Sequence, residues 1–417
     1  MNIKLRLTLM NFMQFFVWGS WLLTIGAYWF QTKHWTGTQF GAIFSTMGIA
    51  SLFMPAIAGI IADRWINAER LYGIFHIMAA IVLFCVPMVN DPSTLFWVML
   101  INMIFYMPTI ALSITVTYST LNCAGLNIIK EYPPIRVWGT IGFIVALWTI
   151  SLTHLETSSA QFYVASAASL FLGIYAFTLQ KCPPLSRGHK KTFVEALGLN
   201  AFSLLKNVKM AVFFIFAMLL GASLQLTNAY GDTFLHDFAF IEKYKNLLAV
   251  KFPAIIMSIS QISETLFILA IPFFLRKFGI KKVMLFSMIA WVLRFGLFAY
   301  GNPAEGLWMI IASCIIYGMA FDFFNISGSL YVETQCDPCI RASSQGLFMM
   351  MTNGFGAFLG SRLSGIMIDK YFVLAGGRFD WKGIWLAFAA YSLVVAVLFA
   401  ILFRHEHDPK ALENFHH

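Results

Sequence analysis

Charge is scarce in this chain. Only 11% of its 417 residues are charged, with 28 Lys or Arg and 19 Asp or Glu, against about 25% in an ordinary soluble domain. So little charge cannot cover a water-soluble fold whose composition is 59% hydrophobic and whose mean hydropathy is +0.75. Disulfide spacing is also missing. The cysteines at 85, 123, 182, 314, 336 and 339 form no extracellular pattern. Cys336 and Cys339 have the spacing of a redox or zinc half-site, but no second pair or thioredoxin-like domain accompanies them, so the spacing reads as coincidence. No HExxH or comparable ligand set is present, which argues against an integral-membrane enzyme and leaves no metal or organic cofactor expected. The histidines of the tail "HEHDPKALENFHH" read as solvated. The net charge of +9 is scattered over loops. That excludes a nucleic-acid stripe and fits basic cytoplasmic loops.

Long apolar runs are what the chain has in abundance, together with 43 Phe, 21 Met and 12 Trp. Runs of membrane-spanning length fall at 5–30, 39–62, 71–89, 94–121, 134–153, 160–180, 209–235, 252–275, 281–301, 306–332, 341–368 and 383–403. The first follows Lys4 and Arg6 but is too long for a signal peptide and lacks a small-residue cleavage site, so it reads as an uncleaved span. The longest polar break, Lys181–Lys209, holds Pro183, Pro184, Arg187, Lys190 and Lys191 and divides the runs six and six. The expected organisation is a six-helix bundle over 1–180, a cytoplasmic loop over 181–208, a second six-helix bundle over 209–404 and a cytoplasmic tail over 405–417. With both termini inside, 18 Lys and Arg face the cytoplasm, 7 face the other side and three (Arg136, Arg294, Arg362) fall within spans, the bias that sets N-in, C-in topology.

The two halves echo each other. "GIIADRW" (59–65) ends the second run and "PFFLRKFGIKK" (272–282) ends the eighth. A short charged turn after the second helix of each half resembles the major facilitator superfamily. The first copy keeps Gly59, Asp63 and Arg64 without the later Gly; the second keeps Gly279, Lys281 and Lys282 without the Asp. The fold class expected is therefore an all-α membrane protein of that superfamily, twelve transmembrane helices in two halves, with its site near the midplane.

Polar groups inside such spans are costly, about 2.5–3.5 kcal/mol for each Asp, Lys or Arg at a helix centre, and mark functional candidates. In "SISQISETLF" (258–267), Glu264 stands roughly 18–20 Å along a helix from Lys251 and Arg276. Gln261 shares its face at i, i+3 and Ser258 falls on the same side. "GASLQLTNAYGDTF" (221–234) repeats the spacing with Gln225 and Asn228, and Asp232 lies a turn further, nearer the exit. In "IIYGMAFDFFNISGS" (315–329), Asp322 has no charged neighbour for 16 positions before it and 10 after. A buried acid of this kind is able to bind and release a proton. Tyr317 and Phe321, at i, i+4, could stack on a flat ring or simply be core, and Asn325 follows the acid by three residues. "YPPIRVWGTIGF" (132–143) puts Arg136, Thr140 and Phe143 on one face, where Arg136 donates to a ligand or pairs with an acid. Each of these groups also admits a structural reading, as a hydrogen bond to a neighbouring helix. Arg294 reads as a snorkelling or acid-paired cation, and Arg362 in "GSRLSG" has no evident place.

At these stretches, and at "FFIFAMLLGASLQLTN" (213–228), "IIMSISQISETLFILAIPFF" (255–274) and "RASSQGLFMMMTNGFG" (341–356), the chain closely resembles the bacterial nucleoside–proton symporter family, over nearly its whole length. The resemblance implies proton-driven uptake of purine and pyrimidine nucleosides such as uridine, cytidine and adenosine. It implies a multi-pass protein of the bacterial inner membrane, acting as a monomer with the proton as coupling ion. The family's nucleoside contacts fall here on Arg136, Thr140, Gln225, Asn228, Gln261 and Glu264, its aromatic positions on Phe143, Tyr317 and Phe321, and an acid tied to transport on Asp322, with Glu264 a second candidate for the proton. Arg362 is outside that pattern. A proton symporter for another polar solute, such as a sugar, would use the same amides and acids; a channel or a nutrient sensor is the remaining alternative.

Overall fold

Helix starts are written into the polar turns between the apolar runs. Asn2, Asp91, Asn127, Asn207 and Asp380 each accept a backbone N–H of the first turn that follows them, and Thr36 forms a reciprocal capping box with Gln39. Asp91 takes both the Thr94 backbone N–H, at 2.7 Å, and its hydroxyl, at 2.9 Å, and these bonds hold its carboxyl below the usual carboxylate range.

The computed structural model describes residues 2–184, 199–336, 341–374 and 377–405. Arg187, Lys190, Lys191, Cys339 and the tail beyond His405 lie outside them. The principal helices are α1 (Ile3–Gly19), α2 (Gly37–Arg64), α3 (Ala68–Cys85), α4 (Pro92–Cys123), α5 (Ile128–Leu152), α6 (Ala160–Ala176), α7 (Val208–Asp237), α8 (Pro253–Tyr300), α9 (Leu307–Gln335), α10 (Arg341–Met349), α11 (Ala357–Tyr371) and α12 (Trp381–Leu402). Among the described residues the only β-type pairing is an isolated bridge between Val373 and Phe379. Among the described residues, eight helices are long and apolar enough to cross a membrane. One of them, α8, runs 48 residues and turns at Gly279, whose φ of 76° only glycine adopts readily. Its two legs are the eighth and ninth runs of the sequence, and the turn falls within the charged stretch that separates them.

Two runs differ from their sequence reading. The first is not one helix: α1 ends at Gly19, a turn of helix returns at Ile25–Ala27, and a π-helical turn covers Tyr28–Thr32. Hydroxyls supply the bonding at the break, with Ser20 Oγ donating to the Phe16 carbonyl at 2.8 Å and Thr24 Oγ1 to Gln161 Oε1 at 2.6 Å. The eleventh run is interrupted by a π-helix at Met350–Gly356 between α10 and α11.

The chain forms two compact units. The first contains residues 1–197 and 228–233, the second residues 198–227 and 234–417. In the first, α1 packs on α5 and α6, α2 on α4, and α3 on α4 and α6. Gly142 of α5 lies so close to α1 that a Cβ there would stand 2.1 Å from the Phe12 carbonyl oxygen. Buried polar groups in this unit converge on Gln14. Its amide donates to Thr109 Oγ1 at 2.9 Å, its Oε1 accepts from Tyr72 at 2.7 Å and meets His76 Nε2 at 2.9 Å, and its backbone carbonyl accepts from Tyr106 at 2.7 Å. His76 Nδ1 reaches Ser169 Oγ at 3.1 Å, so the network joins α1, α3, α4 and α6. In the second unit α8 packs on α9 and α12, and α9 on α10. Gly221 of α7 brings that helix against the π-helix, where a Cβ would stand 2.0 Å from the Thr352 carbonyl oxygen.

Gly142→Val should destabilise the protein by about 1–3 kcal/mol through overpacking, read as a lower Tm in detergent. Gly59→Ala, where an added Cβ meets nothing within 4 Å, should leave Tm in place. An unchanged Tm in Gly142→Val would contradict the α1–α5 contact.

Candidate functional site

Three helices of the second unit carry polar side chains into apolar surroundings. On α7, Gln225 is 5% exposed; on the first leg of α8, Gln261 is 8% exposed; on α9, Asp322 is 4% exposed. Among the described residues, Gln225 Oε1, Gln261 Oε1 and Asp322 Oδ2 are buried without a hydrogen-bond partner, although such groups in folded proteins are nearly always paired. Three unpartnered acceptors within one unit are what a site for a donor-rich ligand requires.

Glycine sets the distance between the helices that bear them. At Gly318 of α9 a Cβ would lie 2.6 Å from the Ser263 carbonyl oxygen and 2.8 Å from the Glu264 backbone nitrogen. Ser263 Oγ also donates to the Ile315 carbonyl. Glu264, half-buried, is thereby held against the stretch of α9 that carries Tyr317 and Asp322. The two carboxyl groups lie close enough to act on each other electrostatically, and both act on the Tyr317 hydroxyl. Tyr317 is buried, and its ring is parallel to that of Phe321, with centroids 5.8 Å apart and planes 8° apart. A cleft beside Phe321 is lined also by Leu224, Trp291, Asn325 and Asn353. Asn325 donates to the Phe321 carbonyl at 3.2 Å, and Ser258 donates to the Ile255 carbonyl at 2.7 Å within its own helix.

The remaining candidates belong to the first unit. Arg136 is half-buried on α5 with its guanidinium 4.2 Å from the centre of the Phe15 ring, a cation–π contact, and it bonds to Tyr132. Among the described residues it makes no ion pair with an acid. Thr140 is half-buried one turn on, and Phe143 is buried, its carbonyl oxygen placed against Gly19 of α1. Asn228, half-buried, groups with this unit although Gln225, on the same helix, groups with the other. Asp232 is buried, with a carboxylate oxygen within 4.8 Å of one of Glu156. Arg362 is exposed on α11.

Arg294 departs from its sequence reading. It neither snorkels nor pairs with an acid among the described residues; it is fully buried and donates to hydroxyl and carbonyl oxygens of α7, α9 and the first leg of α8. Other buried groups went unread, among them Trp18 Nε1 and both amide atoms of Asn102 in the first unit, which lack hydrogen-bond partners among the described residues; the available signal was an amide and an indole inside apolar runs.

The geometry is that of a membrane bundle with unpartnered amides, an aromatic stack and a carboxyl pair. Residues 1–408 match the family described as Nucleoside H+ symporter. The chain belongs to that family. It is 54% identical over 415 residues to the xanthosine permease of Escherichia coli (strain K12), covering 99% of each chain. It is 50% identical over 408 residues to the nucleoside permease NupG of the same organism, covering 98% of this chain and 97% of that one. The crystal structure of nucleoside transporter NupG superposes with a TM-score of 0.92 at 50% identity, over 97% of this chain and all of that one. The protein is thus a multi-pass membrane transporter of the major facilitator fold, a nucleoside–proton symporter and not an enzyme.

For a symporter of this family, Gly318→Val should push the first leg of α8 off α9 and weaken nucleoside binding by about tenfold or more, as displaced site groups do. Gly296→Ala, where an added Cβ meets nothing within 4 Å, should bind as wild type. Equilibrium binding of labelled uridine checks both, and wild-type affinity in Gly318→Val would remove Gly318 from the site's construction.

Proposed function

We propose that this symporter carries purine and pyrimidine nucleosides, uridine, cytidine and adenosine among them, with a proton from the periplasm to the cytoplasm of a bacterium. It acts as a monomer in the inner membrane with both termini cytoplasmic. The observation that carries the reading is the set of buried, unpartnered oxygens on Gln225, Gln261 and Asp322 beside the parallel Tyr317 and Phe321 rings. A nucleoside matches both features: ribose hydroxyls and base N–H groups donate, and the flat base packs on an aromatic face. Gln225, Asn228, Gln261 and Glu264 hold ribose and base edges. Arg136 and Thr140 meet carbonyl-rich edges, and Phe143, Tyr317 and Phe321 pack on the ring.

Asp322 carries the proton and Glu264 chiefly grips the ligand. An ionised Asp322 next to Glu264 puts two like charges in an apolar bundle. One proton on an Asp322 carboxyl oxygen removes that repulsion and turns an acceptor into a donor. Proton and nucleoside are therefore bound best together, which is the thermodynamic content of coupling. No organic cofactor or metal takes part. The specificity reading extends to xanthosine, because a relative at 54% identity bears that name.

In proteoliposomes, an inward proton gradient should drive uridine accumulation that an uncoupler abolishes; accumulation indifferent to the uncoupler would sink symport. Asp322→Asn should lose accumulation yet retain uridine counterflow. Gln261→Ala should raise KM by about 5- to 100-fold, the range for leaving a polar partner unpaired. A panel of nucleosides, xanthosine and sugars separates this reading from a sugar symporter, which would be saturated by the sugars instead.

A further inference from the structure

The stretch "RKFGIKK" (276–282) carries four cations in seven residues and no acid. It joins the two legs of α8, which both read as spans, so it lies at one face of the bilayer. Gly279, with its φ of 76°, reverses the chain there and gathers the cations at a single turn. Cations at the ends of spans are ordinary. Cations without acids are not the rule in this chain. The equivalent turn of the first half, residues 59–70, sets Asp63 and Glu69 among Arg64 and Arg70, and Glu69 stands 4.0 Å from Arg70. At the far ends of the α8 legs, Lys243 and Lys245 stand 3.9 and 2.6 Å from Glu305 and Glu242. Among the described residues, none of Arg276, Lys277, Lys281 and Lys282 lies within ion-pair distance of a carboxylate.

Two of these cations are held in place by neutral groups. Lys281 Nζ donates to the Ala400 carbonyl of α12 at 3.1 Å, and the exposed Arg404 follows Ala400 by four residues. Lys277 Nζ lies 5.6 and 5.4 Å from the centres of the Phe273 and Phe278 rings, which keeps its ammonium against apolar surface. The leg that leads to the cluster is apolar on its outer side. Leu266, Leu269 and Phe273 are exposed and stand about 140–180° around the helix from Glu264. Arg276 and Lys277 fall about 120–140° from it, so the apolar stripe runs into the cations.

We propose that the α8 turn binds an anionic phospholipid, its phosphate among Arg276, Lys277, Lys281 and Lys282 and an acyl chain along Leu266, Leu269 and Phe273. Charge complementarity carries the choice of occupant. Four gathered cations repel one another until an anion joins them. A zwitterionic headgroup brings its own cation and is opposed by the cluster; a headgroup of net negative charge is not. A free phosphate would meet the same charges but leave the apolar stripe unused. Basic clusters at span ends favour anionic lipid by about fivefold for each cation near the surface. The leg anchored in this way is the one that carries Gln261 and Glu264.

The test is native mass spectrometry of the full chain in detergent, with dioleoyl phosphatidylglycerol or dioleoyl phosphatidylcholine, which differ only in headgroup. Wild type should bind the first phosphatidylglycerol at least about fivefold more tightly than phosphatidylcholine. Arg276→Gln/Lys277→Gln/Lys281→Gln/Lys282→Gln should bring the two lipids within about twofold of each other. The control Lys243→Gln/Lys245→Gln/Lys251→Gln/Lys382→Gln removes as many cations at the far ends of the same legs, where Lys382 Nζ lies 4.9 Å from the Tyr300 ring centre. It should keep the wild-type preference. Glycerol 3-phosphate should not displace the lipid. A quadruple variant of the turn that keeps the preference, a control that loses it equally, or displacement by glycerol 3-phosphate would each overturn the proposal. If the quadruple variant does not fold, as read by its Tm, Arg276→Gln/Lys277→Gln leaves the Lys281 bond in place. That double variant should cut the preference by about half or more, and an unchanged preference there also overturns the proposal.

Discussion

Hydrocarbon solvates no charge, and everything distinctive about the second unit follows from how its chain meets that constraint. Arg294 and Asp322, left unmet at depth, would together cost about 5–7 kcal/mol, comparable with the 5–15 kcal/mol that keeps a typical domain folded. The two residues are treated differently. Arg294 is surrounded by an oxygen from each of three helical segments and by two aromatic faces. Asp322 has a carboxyl oxygen with no hydrogen-bond partner and Glu264 for an electrostatic neighbour. The first arrangement is permanent solvation by protein. The second leaves an acceptor open, which on the proposed reading a proton or a ligand fills.

That arrangement needs the helices close together. Without a hydrophobic drive between helices in lipid, close packing depends on small residues at the contacts. Gly318 lets the Glu264 backbone approach α9, and Gly221 lets α7 lie on the π-helix at Met350–Gly356. A β-carbon at either place would force the backbones apart and separate the side chains that these helices carry. On the proposed reading the polar residues supply the chemistry of the site, and glycines one turn away set the spacing of the helices that carry them.

Much of this was legible in the sequence because depth in a membrane is a property of spacing along the chain. Glu264 and Asp322 announced themselves by their distance from other charges. Gln225 and Gln261 were visible because an amide within an apolar run is as unusual as a charge. Arg294 was misread, since snorkelling is the ordinary fate of an arginine towards a span end and its actual partners, Thr227, Ser260 and Ser313, come from three separate stretches of chain. The break after Gly19 and the π-helix after Met349 were missed because hydropathy does not change across them. They turn on where single hydroxyls and carbonyls find partners, which hydropathic spacing does not encode. Gln14 and His76 were passed over for the same reason: each is an isolated polar residue until the fold joins them.

The Gln14 network shows what a purely structural polar group looks like in this protein. Thr109, Tyr72, His76 and Tyr106 engage both polar atoms of the Gln14 side chain and its backbone carbonyl, and four helices are fixed by the result. A satisfied network of this kind rigidifies, and displacing any member would expose several others at once. The amides of Gln225 and Gln261 sit at comparable burial with their carbonyl oxygens unmet. If both sets served only stability, the chain would have no reason to complete one and leave the other open. An incomplete buried network costs stability wherever it occurs, and it persists where a ligand completes it. On the proposed reading, Gln225, Gln261 and Asp322 are the groups of the second unit that a ligand or a proton completes, whereas Arg136 of the first unit is already stacked on Phe15 and bonded to Tyr132.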